Sequence, residues 1–176
     1  LPMRSGEIVP VTIHDVVKGQ SGAAGELRGY FTSDTASGFL LSNEETGVYG
    51  HMESSPVQQQ AVPVAMKQEV RTGAAQILST VSGDSPEYYD IEILSIDYQS
   101  GSAVKNMVIQ VTDADLLEKT GGIVQGMSGS PILQNGKLVG AVTHVFLQDA
   151  TQGYAIFAEN MLSAAENLDD SVAKAS

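Results

Sequence analysis

No cysteine occurs among the 176 residues, so disulfides, thiolate metal sites and a cysteine nucleophile are all excluded. The compartment stays open, because an exported protein need not carry a disulfide. Basic residues are also scarce, 9 against 21 acidic ones, for a formal net charge of −12. That balance repels a phosphate backbone, and no Lys/Arg cluster offsets it, so nucleic acid is not an expected partner. Anionic membrane surfaces are disfavoured on the same ground. No apolar run approaches the roughly 18 residues of a membrane-spanning helix, and there is no signal peptide. Internal repeats and low-complexity linkers are absent too. The chain opens on Leu1-Pro2-Met3 rather than an initiator methionine. It reads as a fragment or a processed product, so the missing export signal carries no message about its parent.

What is present suits a folded, mainly-β chain. Hydrophobic residues make up 42% and there are 18 glycines, spread among short apolar runs bounded by turn residues. Strands are expected at Glu7 to Ile13, Leu27 to Phe31, Gly38 to Leu41, Gly47 to Met52, Ala61 to Met66 (on an edge, because of Pro63), Met107 to Val111 and Tyr154 to Phe157. Two hairpins stand out. Ala75 to Val81 pairs with Tyr88 to Ile96 across Ser82 to Pro86. Pro131 to Gln134 pairs with Lys137 to Phe146 across Asn135-Gly136, a pair suited to a type I′ turn with positive φ at both positions. Helix is expected only after Asp113, stopped by Gly121-Gly122, and at Glu159 to Asn167. The sum is a mainly-β barrel or pair of barrels, with short helices including one near the C-terminus.

One segment carries chemistry. Acyl transfer needs a nucleophile on a tight turn, with backbone N–H groups aimed at the developing oxyanion. Gly126-Met127-Ser128-Gly129-Ser130-Pro131 fits. Ser128 offers its hydroxyl and its own N–H, Gly126 offers an N–H with no side chain in the way, and Pro131 ends the turn before the next strand. Taken alone, Gly-x-Ser-Gly also describes an ordinary glycine-rich loop. The acidic cluster Asp84, Glu87, Asp90 and Glu92 matches no calcium loop and reads as a solvated hairpin end; no metal site, phosphate loop or cofactor is expected.

The longer context is more specific. Thr120 to Ile132, followed by Asn135-Gly136-Lys137-Leu138-Val139-Gly140-Ala141-Val142-Thr143-His144-Val145-Phe146, strongly resembles the SpoIVB peptidases of sporulation stage IV, and the likeness extends over nearly the whole chain. It implies a trypsin-like β-barrel serine peptidase domain over residues 1–176, lacking its N-terminal portion, with the family's PDZ domain and membrane anchor absent. It further implies an endopeptidase that cleaves itself and a membrane-protein regulator of an intramembrane protease. That cleavage would occur between the mother-cell and forespore membranes and activate a late sigma factor. Membrane attachment would run only through the missing anchor.

The resemblance gives Ser128 as nucleophile and Asp113 as the triad acid, with Gly126 and Ser128 as the oxyanion hole. Asp113 stands 15 residues ahead of Ser128, an unusually short separation for a trypsin-like enzyme, and it equally suits the N-cap of the helix that follows it. The family's catalytic histidine falls ahead of Leu1, so this chain would lack its base. Among the histidines present, His51 is a candidate base at a position that is not catalytic in the family, His144 a packing or orienting residue near Asp113, and His14 solvent-exposed and incidental. Gly122 to Gln125 and Thr143 to Val145, flanking the nucleophile, are expected to set specificity. The rival reading is a catalytically incomplete fragment that binds a peptide or partner, favoured if an exposed sheet edge accepts an added strand.

Overall fold

The computed structural model describes residues 6–53, 61–99 and 101–174, the side chains of 168–174 excepted. Six strands close into a barrel: β6 (Gly73–Ser79), β7 (Glu87–Ile96), β8 (Met107–Val111), β9 (Pro131–Gln134), β10 (Lys137–Val145) and β11 (Gln152–Phe157). Their order around the barrel is β10-β11-β8-β7-β6-β9, all neighbours antiparallel, with β9 and β10 closing the ring. Strand alternation builds the interior. Tyr89, Ile91 and Ile93 of β7 are buried while Asp90 and Glu92 between them face out, and Met107, Ile109 and Val111 of β8 repeat the pattern. The sequence's acidic cluster is thus in part the solvent face of a barrel strand. Asn135 (φ 53°) and Gly136 (φ 75°) make the expected left-handed turn between β9 and β10.

Two helices flank the barrel. α1 (Ala114–Thr120) ends at Gly121 in the left-handed conformation. α2 (Ala158–Lys174) lays Met161 against Val104, Ala141 and Ile156 outside the main core. A single 3-10 turn spans Lys67–Glu69.

The first five strands form two small sheets. β2 (Val11–Val17) and β3 (Glu26–Phe31) are a hairpin; β1 (Glu7–Ile8), β4 (Gly38–Glu44) and β5 (Gly47–Met52) make a three-stranded sheet in the order β1-β4-β5. The expected strand from Glu7 to Ile13 is therefore two strands in different sheets. Val9-Pro10 breaks it, since proline has no N–H to continue a ladder and biases the residue before it. Ala61 to Met66 is not a strand either; Val64 makes only an isolated bridge to Leu138. The β2–β3 hairpin is fastened to the barrel by backbone bonds. Ile13 and Gly83 exchange two at 2.8 Å each, and Gln125 donates to Gly25 O and accepts from Leu27 N–H, also at 2.8 Å.

Candidate active site

Ser128 lies in the turn between α1 and β9. The approach to it is buried. The Thr120 hydroxyl lies within reach of the Leu116 and Gly122 carbonyls and accepts from Gly122 N–H, while Ile123 N–H donates to Ala150 O at 2.7 Å. Met127, fully buried, then anchors the turn from inside the core. Its N–H donates to Val124 O at 3.1 Å, and its thioether sulfur accepts Val124 N–H at 3.5 Å. After Ser128, Gly129 N–H donates to Val142 O (2.8 Å), Ser130 N–H to Met127 O (3.0 Å), and Val142 N–H to Ser130 O (3.0 Å). The Ser130 hydroxyl reaches the buried Ser79 hydroxyl of β6 at 3.0 Å. The turn is thereby tied to the core, to β6, to β10 and, through Gln125, to the β2–β3 hairpin.

Two donors are left over. Among the described residues, neither Gly126 N–H nor Ser128 N–H has a protein acceptor, and both residues are exposed and line one cleft of about 600 Å³. Gly126 holds φ +101°, a conformation side-chain-bearing residues rarely adopt, and a Cβ there would meet Leu27 at 3.1 Å. The Ser128 hydroxyl donates to Thr143 O at 3.1 Å, and Thr143 in turn donates its hydroxyl to Val104 O at 2.9 Å. On the far side of Ser128 a second cavity, about 460 Å³, is lined by Thr143, His144 and the β4–β5 turn at Glu45 and Thr46.

Asp113 stands apart. It caps α1, accepting Leu116 N–H at 2.9 Å on one carboxylate oxygen and Asp90 N–H at 3.2 Å on the other. It lines neither cavity that Ser128 lines. His144, expected near Asp113, is instead exposed on β10, with no hydrogen bond to Asp113 among the described residues. His51 packs on Phe39 (ring centroids 5.5 Å apart) and His14 on Tyr30 (5.9 Å), both exposed and on the small sheets. Gly122, Ile123 and Val124 are buried, so of the first segment expected to touch substrate only Gln125 is exposed, and its backbone bridges to β3.

A match to the SpoIVB peptidase S55 family model covers residues 1–162. The chain belongs to the SpoIVB peptidase family. The family's serine peptidase character fits the exposed Ser128 and the two free N–H groups beside it. Among solved structures, similarity is found to an inactive form of the Rv3671c protease, at 16% identity over 93% of this chain and 86% of that one, with a TM-score of 0.48. An inactive serine-to-alanine mutant of Rv3671c from M. tuberculosis H37Rv is similar at 16% identity over 89% and 87% of the two chains, with a TM-score of 0.44. No curated protein matches.

Three features of this candidate site escaped sequence reasoning: the thioether of Met127 as an acceptor, the Ser79 hydroxyl bonded to Ser130, and the β2–β3 hairpin as a cleft wall. Only the last left a trace in sequence. Leu27 to Phe31 reads as a strand in the sequence, and Leu27, Gly29 and Phe31, at alternate positions, share one of its faces.

Proposed function

We propose that this chain carries the nucleophile and oxyanion hole of a serine endopeptidase. Ser128 Oγ attacks the scissile carbonyl, and the N–H groups of Gly126 and Ser128 take up the negative charge that develops on its oxygen. The observation that carries this is the pair of unpartnered N–H groups beside an exposed serine, in a turn whose neighbouring donors are satisfied. A serine needs a base. None of the three histidines hydrogen-bonds Ser128, and the base is assigned by resemblance to a histidine ahead of Leu1. The acid of the triad is assigned to Asp113 on the same ground, whereas the geometry of Asp113 supports capping. The natural reaction, again by resemblance, is self-cleavage and cleavage of a membrane-protein regulator of an intramembrane protease, in the space between the mother-cell and forespore membranes.

The test is fluorophosphonate labelling with peptide mapping and Ser128→Ala as control, on the 176-residue chain and on a form extended through the upstream histidine. Labelling of Ser128 in the extended form alone supports the full assignment. Labelling in both places the base among the histidines described, with His144 first because it lines a cavity with Ser128. Labelling in neither ends the nucleophile assignment. The second reading, a partner-binding module, is favoured by the exposed apolar side chains of the small sheets, among them Phe31 at 72% and Tyr30 at 56%. Peptide capture without labelling in either form would select it.

A further inference from the structure

The cleft onto which Ser128 opens has two apolar walls. Ile13, Leu27 and Phe31, on one face of the β2–β3 hairpin, form the first; Leu78 at the end of β6 and Pro86 beyond it form the second. Gly126 and Ser128 line the cleft with them, and Asp84 is the one charged residue in the lining among the described residues. Of the backbone bonds that fasten the hairpin to the barrel, Ile13 to Gly83 and Leu27 to Gln125 involve residues of its cleft-lining face.

The backbone of β3 adds a second feature. Ile13 spends both its N–H and its C=O on Gly83, so its register partner Gly29 forms no hydrogen-bonded pair with it. The peptide groups of Gly29 therefore point away from β2, along the same edge as Leu27 N–H, which bonds Gln125 beside the nucleophile. Past Leu27 that edge has no partner strand among the described residues. A free strand edge that begins at the nucleophile turn is a template for an extended chain.

We infer that this groove is the specificity site of the reaction. One flank of the substrate pairs as an extended strand with β3 at Gly29 and places an apolar side chain, leucine-sized or aromatic, between Leu27, Phe31 and Leu78. The substrate class is an extended peptide segment with a large apolar residue next to the scissile bond, and an acidic residue there is rejected by Asp84 and finds no cationic partner among the described residues of the lining. This deepens the proposed function and rests on Ser128 being the reacting group.

The experiment uses the Ser128→Ala chain, which cannot turn peptide over, and amide chemical shifts during titration with hexapeptides differing at one central position. A leucine or phenylalanine peptide is expected to bind about tenfold or more tighter than its aspartate counterpart, with shifts at Leu27, Gly29 and Leu78. Phe31→Asp, at a position exposed enough to tolerate the change, should abolish the preference for leucine and create one for lysine. Leu78→Trp, judged folded by its dispersed spectrum, should block the leucine peptide. Equal binding of the leucine and aspartate peptides, or shifts confined to Thr143 and His144, overturns the inference. A small fluorophosphonate needs no groove, so labelled Ser128 with an unselective groove defeats only this inference. A selective groove with unlabelled Ser128 defeats only the nucleophile assignment.

Discussion

The closed barrel and the strands that precede it are held by different forces. Among the described residues, every buried hydrophobic residue of the core lies at Ala65 or later. In residues 6–53 only Gly25 and Gly38 are buried, while Val11, Tyr30, Phe31, Phe39, Leu41 and Val48 are exposed. The β2–β3 hairpin compensates with backbone bonds to Gly83, Gln125 and Thr120. The β1-β4-β5 sheet does not; among the described residues no backbone hydrogen bond joins it to the barrel. The Ser128 turn grows from the barrel and the groove wall from the hairpin. The proposed reacting group thus sits on the part with the hydrophobic core, and the proposed substrate-reading surface sits on a part held chiefly by hydrogen bonds.

The comparison breaks first at its strong end. Ile109→Ala, at a fully buried barrel position, should destabilise by about 2–5 kcal/mol in chemical denaturation, whereas Leu41→Ala, 46% exposed on β4, should stay within about 0.5 kcal/mol. Similar losses would mean that the small sheets share the barrel's core. Hydrogen exchange sharpens the point. Amides of Ile93 and Ile109 should exchange only through global opening, and those of Leu40 and Gly50 by local opening at much lower free energy.

Next comes Gly126→Ala. The left-handed φ makes the substitution strained, about 1–3 kcal/mol, and the Cβ presses on Leu27. Because the strain falls on the turn that aims the free N–H groups, labelling of Ser128 should slow by about 100-fold or more, in whichever form of the protein labels. A loss of stability with an unchanged labelling rate would remove Gly126 N–H from the oxyanion hole.

Much of the barrel is legible in sequence because its signals are local. The alternation from Tyr89 to Ile93, the Asn135-Gly136 turn and the Gly121 helix stop each lie within a few residues. The Ser128 turn is legible for the same reason, since its glycines and Pro131 lie within a few residues. The partition of the first five strands is not, because β1 pairs with β4 some 30 residues later, and no local pattern assigns Ile8 and Val11 to different sheets. The groove is hidden likewise: Leu27 and Leu78 come to line one cleft only after the hairpin docks. Asp113 shows the opposite hazard. One residue satisfied both a helix-start pattern and a family position, and the local pattern is the one seen in its hydrogen bonds.

Tyr89 tests the barrel wall below α1. Burial pushes its phenol well above the ordinary range, and the O–H donated to Glu87 at 2.6 Å adds to the shift. A phenol whose folded pKa is raised contributes stability that is complete below about pH 10 and is lost as pH rises beyond it. The protein should therefore lose stability between pH 9 and pH 11 by up to about 1.4 kcal/mol more than Tyr89→Phe does. Identical alkaline profiles for the two proteins would show that the phenol is not held in its neutral form.

Asp113 gives the smallest effect and the finest discrimination. As an N-cap whose oxygens take Leu116 and Asp90 N–H groups, it should cost about 1 kcal/mol when replaced by alanine, and only a few tenths when replaced by asparagine, which caps as well. Asparagine removes the negative charge but retains an acceptor, so the two roles separate. If Asp113 only caps the helix, Asp113→Asn labels at Ser128 at the parent rate, and the acid that orients the base must be sought around the cavity lined by Thr143 and His144. If Asp113 orients the histidine, the same variant stays as stable as its parent yet loses labelling by 100-fold or more. One carboxylate oxygen would then have to leave its backbone donor when the histidine docks, and the Asp90 bond, the longer of the two at 3.2 Å, is the one that would open.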